Sequence, residues 1–210
     1  MAYSVLIVED QEMAKTLFEI YVRESKDFAL VTSVTNSSLA ISICRTVKVD
    51  LILMDVLTEL GHSGLDAAAE IKREFPQTKI IIVTSMPEYT WLKRARSVGV
   101  ESFWYKNSRR ETILNVMRRT MAGEHIYPDE TPLIHIGNTT NRDFTERELD
   151  VLKELTSGDS NMEIAQRLGI SARTVKVHVQ NMLDKTGFKT RTELASEARS
   201  LGLVIREQGE

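Results

Sequence analysis

The sequence has a single cysteine, Cys44, which rules out an internal disulfide and any thiolate zinc cluster and points to the cytoplasm. Long apolar runs are missing as well. The longest, LILM at 51–54 and IIIV at 80–83, fall far short of the roughly 20 residues a membrane-spanning helix needs. The apolar start MAYSVLIV is stopped at once by Glu9 and Asp10, so no secretory leader is expected. Ten glycines and four prolines in 210 residues exclude a collagenous or Pro/Gly-rich disordered chain. Surplus positive charge is lacking too: 27 Lys and Arg face 30 Asp and Glu, a net of −3 that by itself argues against a nucleic-acid partner.

The distribution of charge reverses that last inference. Ser171–Arg191 carries five basic residues (Arg173, Lys176, Lys185, Lys189, Arg191) and one acidic residue, Asp184, so one face of one segment is basic. The length suits two domains. Residues 1–122 alternate between short apolar runs at 3–8, 28–34, 50–54, 79–84 and 101–105 and helix-like segments at 11–24, 36–47, 64–74, 89–97 and 109–122. Apolar runs without polar alternation are the mark of strands covered on both faces, so this half predicts an α/β fold, a doubly wound five-stranded parallel sheet. Residues 123–142, with Pro128, Pro132, Gly137 and Asn138, break the rhythm and read as an interdomain connector, in which IYP (126–128) and PLIHI (132–136) could lie against a domain surface. Residues 143–210 read as a separate all-α domain of four helices. Thr145–Glu148, Ser160–Glu163 and Thr190–Glu193 have capping-box spacing, Ser171 can cap a further helix, and Gly169 and Gly187 stop two of them.

In a parallel α/β sheet, ligands sit beyond the carboxyl ends of the strands. Glu9 and Asp10 follow the first strand, Asp55 the third, Thr84 ends the fourth and Lys106 follows the fifth, so all five reach one rim. Three carboxylates held together call for a cation, and an all-oxygen set suits Mg2+. Asp55 could then attack phosphorus as a carboxylate nucleophile, with Lys106 and the Thr84 hydroxyl on the phosphoryl oxygens.

Residues 1–122 resemble the receiver domain of bacterial two-component response regulators, through Glu9-Asp10, Asp55, Thr84 and Lys106. The resemblance implies a histidine kinase as phosphodonor, Asp55 as phosphoacceptor, the backbone carbonyl of Leu57 as a further metal ligand and Phe103 as a switch aromatic. It implies no enzyme activity beyond self-phosphorylation and slow autodephosphorylation. Departures cluster after Asp55: Thr58 and Glu59 stand where receivers commonly have Met-Pro, and Gly64 comes one position late, behind Ser63. Glu59 is expected to loosen and charge that loop. Asn107 replaces a proline after Lys106, a lesser departure.

In the basic segment, turning Val175, Val179, Met182 and Leu183 inward leaves Arg173, Lys176, Val177, Gln180 and Asn181 outward, a face that suits a major groove. Thr174, Lys185, Lys189 and Arg191 are expected on the DNA backbone, and His178 in the helix packing or on a phosphate. Residues 143–205 resemble the LuxR/NarL-type DNA-binding domain, over Phe144–Leu149 and Ser160–Val179 above all. That resemblance implies that Lys176, Val177 and Gln180 face bases and that the fourth helix, Thr190–Leu201, pairs two copies. Together the two halves are similar to a response regulator of the NarL/FixJ type. The partners implied are a sensor histidine kinase, double-stranded promoter DNA and a second copy of the chain, with no membrane. Two rivals stand beside this reading: a phosphorylation-independent DNA binder with a degenerate receiver, and a Mg2+-dependent aspartyl-phosphate phosphatase. The latter usually needs a second carboxylate close after the nucleophile, where this chain has Val56 and Leu57.

Overall fold

A computed structural model describes residues 2–88, 90–106, 112–129 and 131–204. The chain divides into two compact units, one built mainly from residues 2–85 and 90–129 and the other mainly from 131–204. Of the expected elements, the starts of the helices at 89–97 and 109–122, Asn107 and the chain beyond 204 lie wholly or partly outside the described residues.

In the first unit β1 (Tyr3–Val8), β2 (Phe28–Val34), β3 (Leu51–Asp55), β4 (Lys79–Thr84) and β5 (Ser102–Tyr105) form one parallel sheet, in the order β2-β1-β3-β4-β5. Helices α1 (Glu12–Glu24), α2 (Ala40–Thr46), α3 (Gly64–Glu74), α4 (Trp91–Val98) and α5 (Ile113–Met121) alternate with the strands. The centre of β1, β3 and β4 is fully buried, as coverage of both faces requires. Val5, Ile7, Leu51, Leu53, Ile81 and Val83 pack with Phe18 and Val22 of α1 and with Val116 and Met117 of α5. The intervening Leu6, Ile52, Met54, Ile80 and Ile82 point to the opposite face, on the side of the neighbouring helices α2, α3 and α4. The helix expected over 36–47 starts differently. The Asn36 side chain accepts from the Ser38 backbone N–H and opens a 3-10 turn, Ser37–Leu39, ahead of α2.

The segment read as a connector carries structure of its own. The Phe103 N–H donates to the Ile126 carbonyl at 2.8 Å, which lays residues 124–128 along β5. Further on, β6 (His135–Ile136) and β7 (Thr139–Thr140) form a small antiparallel pair. Asn141 fastens its base, accepting from the Ile134 N–H and donating to the Pro132 carbonyl, each at 2.9 Å. Ile136 belongs to the core of the second unit. The two apolar stretches of the segment do lie against folded units, IYP along the edge of β5 and PLIHI, through Ile136, in the core of the second unit.

The second unit packs α6 (Glu146–Leu155), α7 (Asn161–Leu168), α8 (Ala172–Thr186) and α9 (Arg191–Ser200) around Leu149, Leu152, Leu155, Ile164, Val175, Val179, Met182, Leu194 and Ala198. The capping boxes at Thr145–Glu148 and Ser160–Glu163 are both closed. Ser171 caps α8, and Thr190 caps α9 while Glu193 reaches back to the Lys189 N–H. Gly169 and Gly187 end α7 and α8 in the left-handed conformation that a β-carbon disfavours.

Glu148 does more than cap. It is buried, and its carboxylate accepts from the Lys185 ammonium at 2.7 and 2.9 Å and from the Thr145 N–H at 2.8 Å. Lys185 also donates to the Asp143 carbonyl at 2.9 Å. One lysine at the end of α8 is thus clamped to the start of α6. Burial pushes the Glu148 carboxyl up, but the Lys185 and Thr145 donors outweigh it and hold the group below the usual range. The stabilisation it supplies is therefore present at neutral pH and lost as pH falls through that depressed value. Glu148→Ala is expected to cost about 2 kcal/mol at pH 7, as loss of a cap plus a stranded ammonium. The penalty should shrink in acid. Native-state hydrogen exchange of α6 and α8 amides reads it, and a loss under about 0.5 kcal/mol at pH 7 would contradict the clamp.

Candidate functional site

The register of the sheet brings the site together. Val8 pairs with Met54, so Glu9 comes level with Asp55; Asp55 pairs with Val83, one residue before Thr84; Thr84 pairs with Tyr105, one residue before Lys106. Glu9, Asp55 and Thr84 are buried, whereas Asp10 is exposed. Ligand oxygens of Glu9, Asp10 and Asp55 lie within 4.8 Å of one another. The Lys106 ammonium sits 2.6 Å from Asp55 Oδ2 and 2.5 Å from Glu9 Oε2. The other Asp55 oxygen accepts from the Val56 N–H at 2.7 Å, and Glu9 Oε1 accepts from the Gln11 N–H at 3.1 Å.

Burial first, and the Glu9 carboxylate beside it, push the Asp55 carboxyl up to about 7, against the opposing pull of Lys106. One ammonium for two buried carboxylates leaves the cluster short of positive charge. An oxygen-only donor set that is buried on one side and open at Asp10 fits a hard divalent cation that keeps part of its water shell.

The loop after Asp55 departs from expectation. Glu59 does not loosen it. Its N–H donates to the Thr35 carbonyl at 3.0 Å, and its carboxylate accepts from the Thr35 hydroxyl at 2.5 Å. Thr58 is buried, its hydroxyl donating to the His62 carbonyl, accepting from the Ser37 N–H and lying 3.0 Å from Ser37 Oγ. Leu57 and Ser63 bridge across the base. The extra residue is taken up at the tip, where Leu60 adopts φ 62° and is 76% exposed. A tight turn with side-chain ties on both flanks holds the loop without a proline. The late glycine has its own reason: a β-carbon on Gly64 would lie 1.8 Å from the Asp55 carbonyl oxygen. α3 therefore starts in direct contact with the strand that carries Asp55.

Phe103 is buried in β5, with its ring 5.1 Å from that of Tyr105 and 6.5 Å from that of Tyr127. The sequence marks Tyr127 only as part of an apolar triplet able to lie on a domain surface. A lone aromatic in a Pro-containing stretch carries no periodic signal.

On α8, Val175, Val179, Met182 and Thr186 are buried, while Arg173, Lys176, Val177, Gln180 and Asn181 are exposed on the other side. Val177 shows 51% of its surface, an uncompensated exposure for a valine in mid-helix. Gln180 Nε2 donates to Asp184 Oδ1 at 2.8 Å, and Thr174 shares a hydrogen bond with the Ser171 hydroxyl. His178 is half-buried. Two residues expected on a DNA backbone have their donors engaged inside the unit instead. Lys185 is clamped to Glu148, and Arg191 donates to Asn161 Oδ1 at 3.0 Å and to the Asp159 carbonyl at 2.6 Å. Arg173, Lys176 and Lys189 remain exposed and make no ion pair among the described residues.

Comparisons with known proteins agree with this geometry. Residues 5–118 match the family described as "Response regulator receiver domain", and residues 142–198 match "Bacterial regulatory proteins, luxR family". The chain is 34% identical to the response regulator protein VraR of Staphylococcus epidermidis, over 97% of this chain and 100% of the relative. VraR of Staphylococcus aureus matches to the same extent. Among solved structures, "Structure of two RcsB dimers bound to two parallel DNAs" aligns with a TM-score of 0.63 at 17% identity, covering 96% of this chain and 100% of that one. A structure of RcsB from Salmonella enterica serovar Typhimurium, described as bound to promoter rprA with the phosphomimetic BeF3-, aligns at 0.60 and 18%, covering 94% and 98%. At such identities the structural likeness shows the fold, and the sequence matches carry the family. The chain belongs to the two-component response regulators of the NarL/FixJ type, a receiver domain followed by a LuxR-type helix-turn-helix domain.

Proposed function

We propose that this DNA-binding response regulator takes a phosphoryl group from a histidine kinase onto Asp55, and that the modification shifts pairing of the chain and its grip on promoter DNA. The observation that carries the reading is the buried carboxylate cluster with Lys106 on Asp55. Glu9, Asp10 and Asp55 would hold Mg2+, together with the Leu57 carbonyl, and the ion would supply charge neutralisation for the incoming phosphoryl group. An Asp55 oxygen attacks phosphorus in line, the P–N bond to the donor imidazole breaks, and an acyl phosphate forms. Lys106, already 2.6 Å from Asp55, and the Thr84 hydroxyl at the end of β4 take the phosphoryl oxygens. The tied loop at 58–62 gives no ground for a degenerate receiver.

Pairing has a physical basis on α1, where Met13, Leu17 and Ile20 form an exposed apolar stripe and Met13 shows 89% of its surface. A second copy of the chain presents the same stripe, so the contact is self-complementary. α9, the helix expected to pair two DNA-binding domains, leaves Thr192, Ser196 and Ser200 exposed. On DNA, Lys176, Val177 and Gln180 face bases, with Asn181 beside them, and Arg173, Thr174 and Lys189 position the helix on the backbone.

Acetyl phosphate with Mg2+ is expected to add the mass of one phosphoryl group to the wild type and none to Asp55→Asn; an unchanged wild-type mass defeats the proposal. A second expectation follows from the raised Asp55 value. Between the ordinary carboxylate value of roughly 3.9 and about 7, the folded chain holds a proton that the unfolded chain has released, so stability falls as pH rises through that window. Asp55→Asn has no such group. In chelator it should melt higher than wild type at pH 8, with the margin fading toward pH 4. A margin independent of pH would show that the charge of Asp55 is not what burial penalises.

For the reading helix, Lys176→Ala and Gln180→Ala should each cost about 1–3 kcal/mol on preferred DNA and relax preference at single positions. Lys189→Ala should weaken all sequences alike and flatten the salt dependence by about one unit. Fluorescence anisotropy on DNA selected from a random library separates the two. Equal effects on preferred and random DNA for Gln180→Ala would remove it from the base-facing set.

A further inference from the structure

β5 is an edge strand, and an edge leaves backbone donors without a neighbour. Here the chain covers that edge itself. The Phe103 N–H donates to the Ile126 carbonyl at 2.8 Å, the Ile126 N–H donates to Ser102 Oγ at 3.2 Å, and the Tyr127 hydroxyl donates to the Val100 carbonyl at 2.7 Å. Ser102 Oγ also lies 2.7 Å from Thr120 Oγ1, which links the arrangement to α5. The Tyr127 ring has two partners: the Phe103 ring lies 6.5 Å away between centroids, tilted by 31°, and the Arg96 guanidinium of α4 sits over it at 4.2 Å. Burial pushes the Tyr127 hydroxyl up to about 12, so it stays a donor at any physiological pH.

The same four-residue strand ends at Tyr105 and is followed directly by Lys106, whose ammonium is held by Asp55 and Glu9. Phosphorylation turns one Asp55 oxygen into the bridging oxygen of an acyl phosphate and places a dianionic group in the pocket. Lys106 must then change partners, and it is joined directly to the end of β5. The contacts of Ile126 and Tyr127 fit β5 as it lies when Lys106 holds the free carboxylate.

We infer that residues 124–128 are a strap that holds β5 in its unphosphorylated position and lets go when Asp55 is phosphorylated, with Tyr127 and Arg96 as its positioning residues. This rests on the phosphoacceptor reading above and adds the element that passes the change to the following chain. Linkage is reciprocal, so loosening the strap must favour the phosphorylated state to the same degree.

The test uses the full chain with beryllofluoride and Mg2+, and hydrogen exchange read over Phe103 and 124–128. Saturation should speed exchange of those amides about fivefold or more in the wild type and leave Asp55→Asn unmoved. Tyr127→Ala should start fast, respond little and bind beryllofluoride about fivefold or more tighter. Tyr127→Phe keeps the ring and loses only the bond to Val100, so it should fall between them even if the alanine variant folds poorly. A wild type that binds beryllofluoride in stoichiometric amount without any change at 124–128 overturns the strap alone. A wild type that takes up neither beryllofluoride nor phosphoryl from acetyl phosphate overturns the acceptor reading, and the strap with it.

Discussion

Two buried carboxylates, Glu9 and Asp55, share the single ammonium of Lys106. Each charge sits at the end of a different strand, and burying like charges together is tolerable only because the lysine is in reach. The parallel register makes the meeting possible. Glu9 and Asp55 stand at the same level on adjacent strands, and Thr84 and Lys106 follow one residue beyond their neighbours' pairing partners. A slip of one residue in any of these pairings would turn a site residue to the other face of the sheet. The uniformly apolar strands therefore serve the chemistry as well as the core. They hold four chain segments in one alignment at the rim, where two buried carboxylates face one ammonium.

The second unit shows the opposite economy of charge. Five basic residues crowd Ser171–Arg191, yet two of them are committed to holding helices together. Lys185 ties α8 to α6 through Glu148, and Arg191 ties α9 to the start of α7 through Asn161 and Asp159. What is left on the surface is a narrower face centred on Lys176, Val177 and Gln180, with Arg173 and Lys189 at its margins. Such a face relies on shape and amide geometry more than on bulk charge. A net charge of −3 for the whole chain is compatible with that.

The architecture was legible from sequence because it rests on local signals. Fully buried strands read as unbroken apolar runs, capping boxes announce helix starts, and strand ends point to a common rim. All five rim residues stand where those signals put them. What was illegible depends on partners far along the chain. Lys185 reads as a free cation until Glu148, 37 residues earlier, is seen beneath it. Glu59 reads as a disturbance until Thr35, 24 residues earlier, is found to clasp it. Tyr127 sits in a stretch whose prolines suggest open chain, and its ring contacts belong to α4 and β5. Periodicity describes one element's two faces and says nothing of which distant side chain will meet them.

The connector brings these threads together. Between Tyr127, held on β5, and Ile134, bonded into the second unit, run seven steps of chain, a tether of at most about 25 Å. If the strap leaves the strand, the tether begins at the end of α5, and its reach grows to at most about 45 Å. The effective concentration of one tethered domain at a partner site falls steeply once a linker outgrows the span it must cover. Under the proposed scheme, phosphorylation of Asp55 would lengthen the tether of the DNA-binding unit without altering its fold. The edge strand supplies the means in this proposal, since an exposed edge must be covered, and the cover meets residues 100–103 through three hydrogen bonds and the Phe103–Tyr127 ring contact.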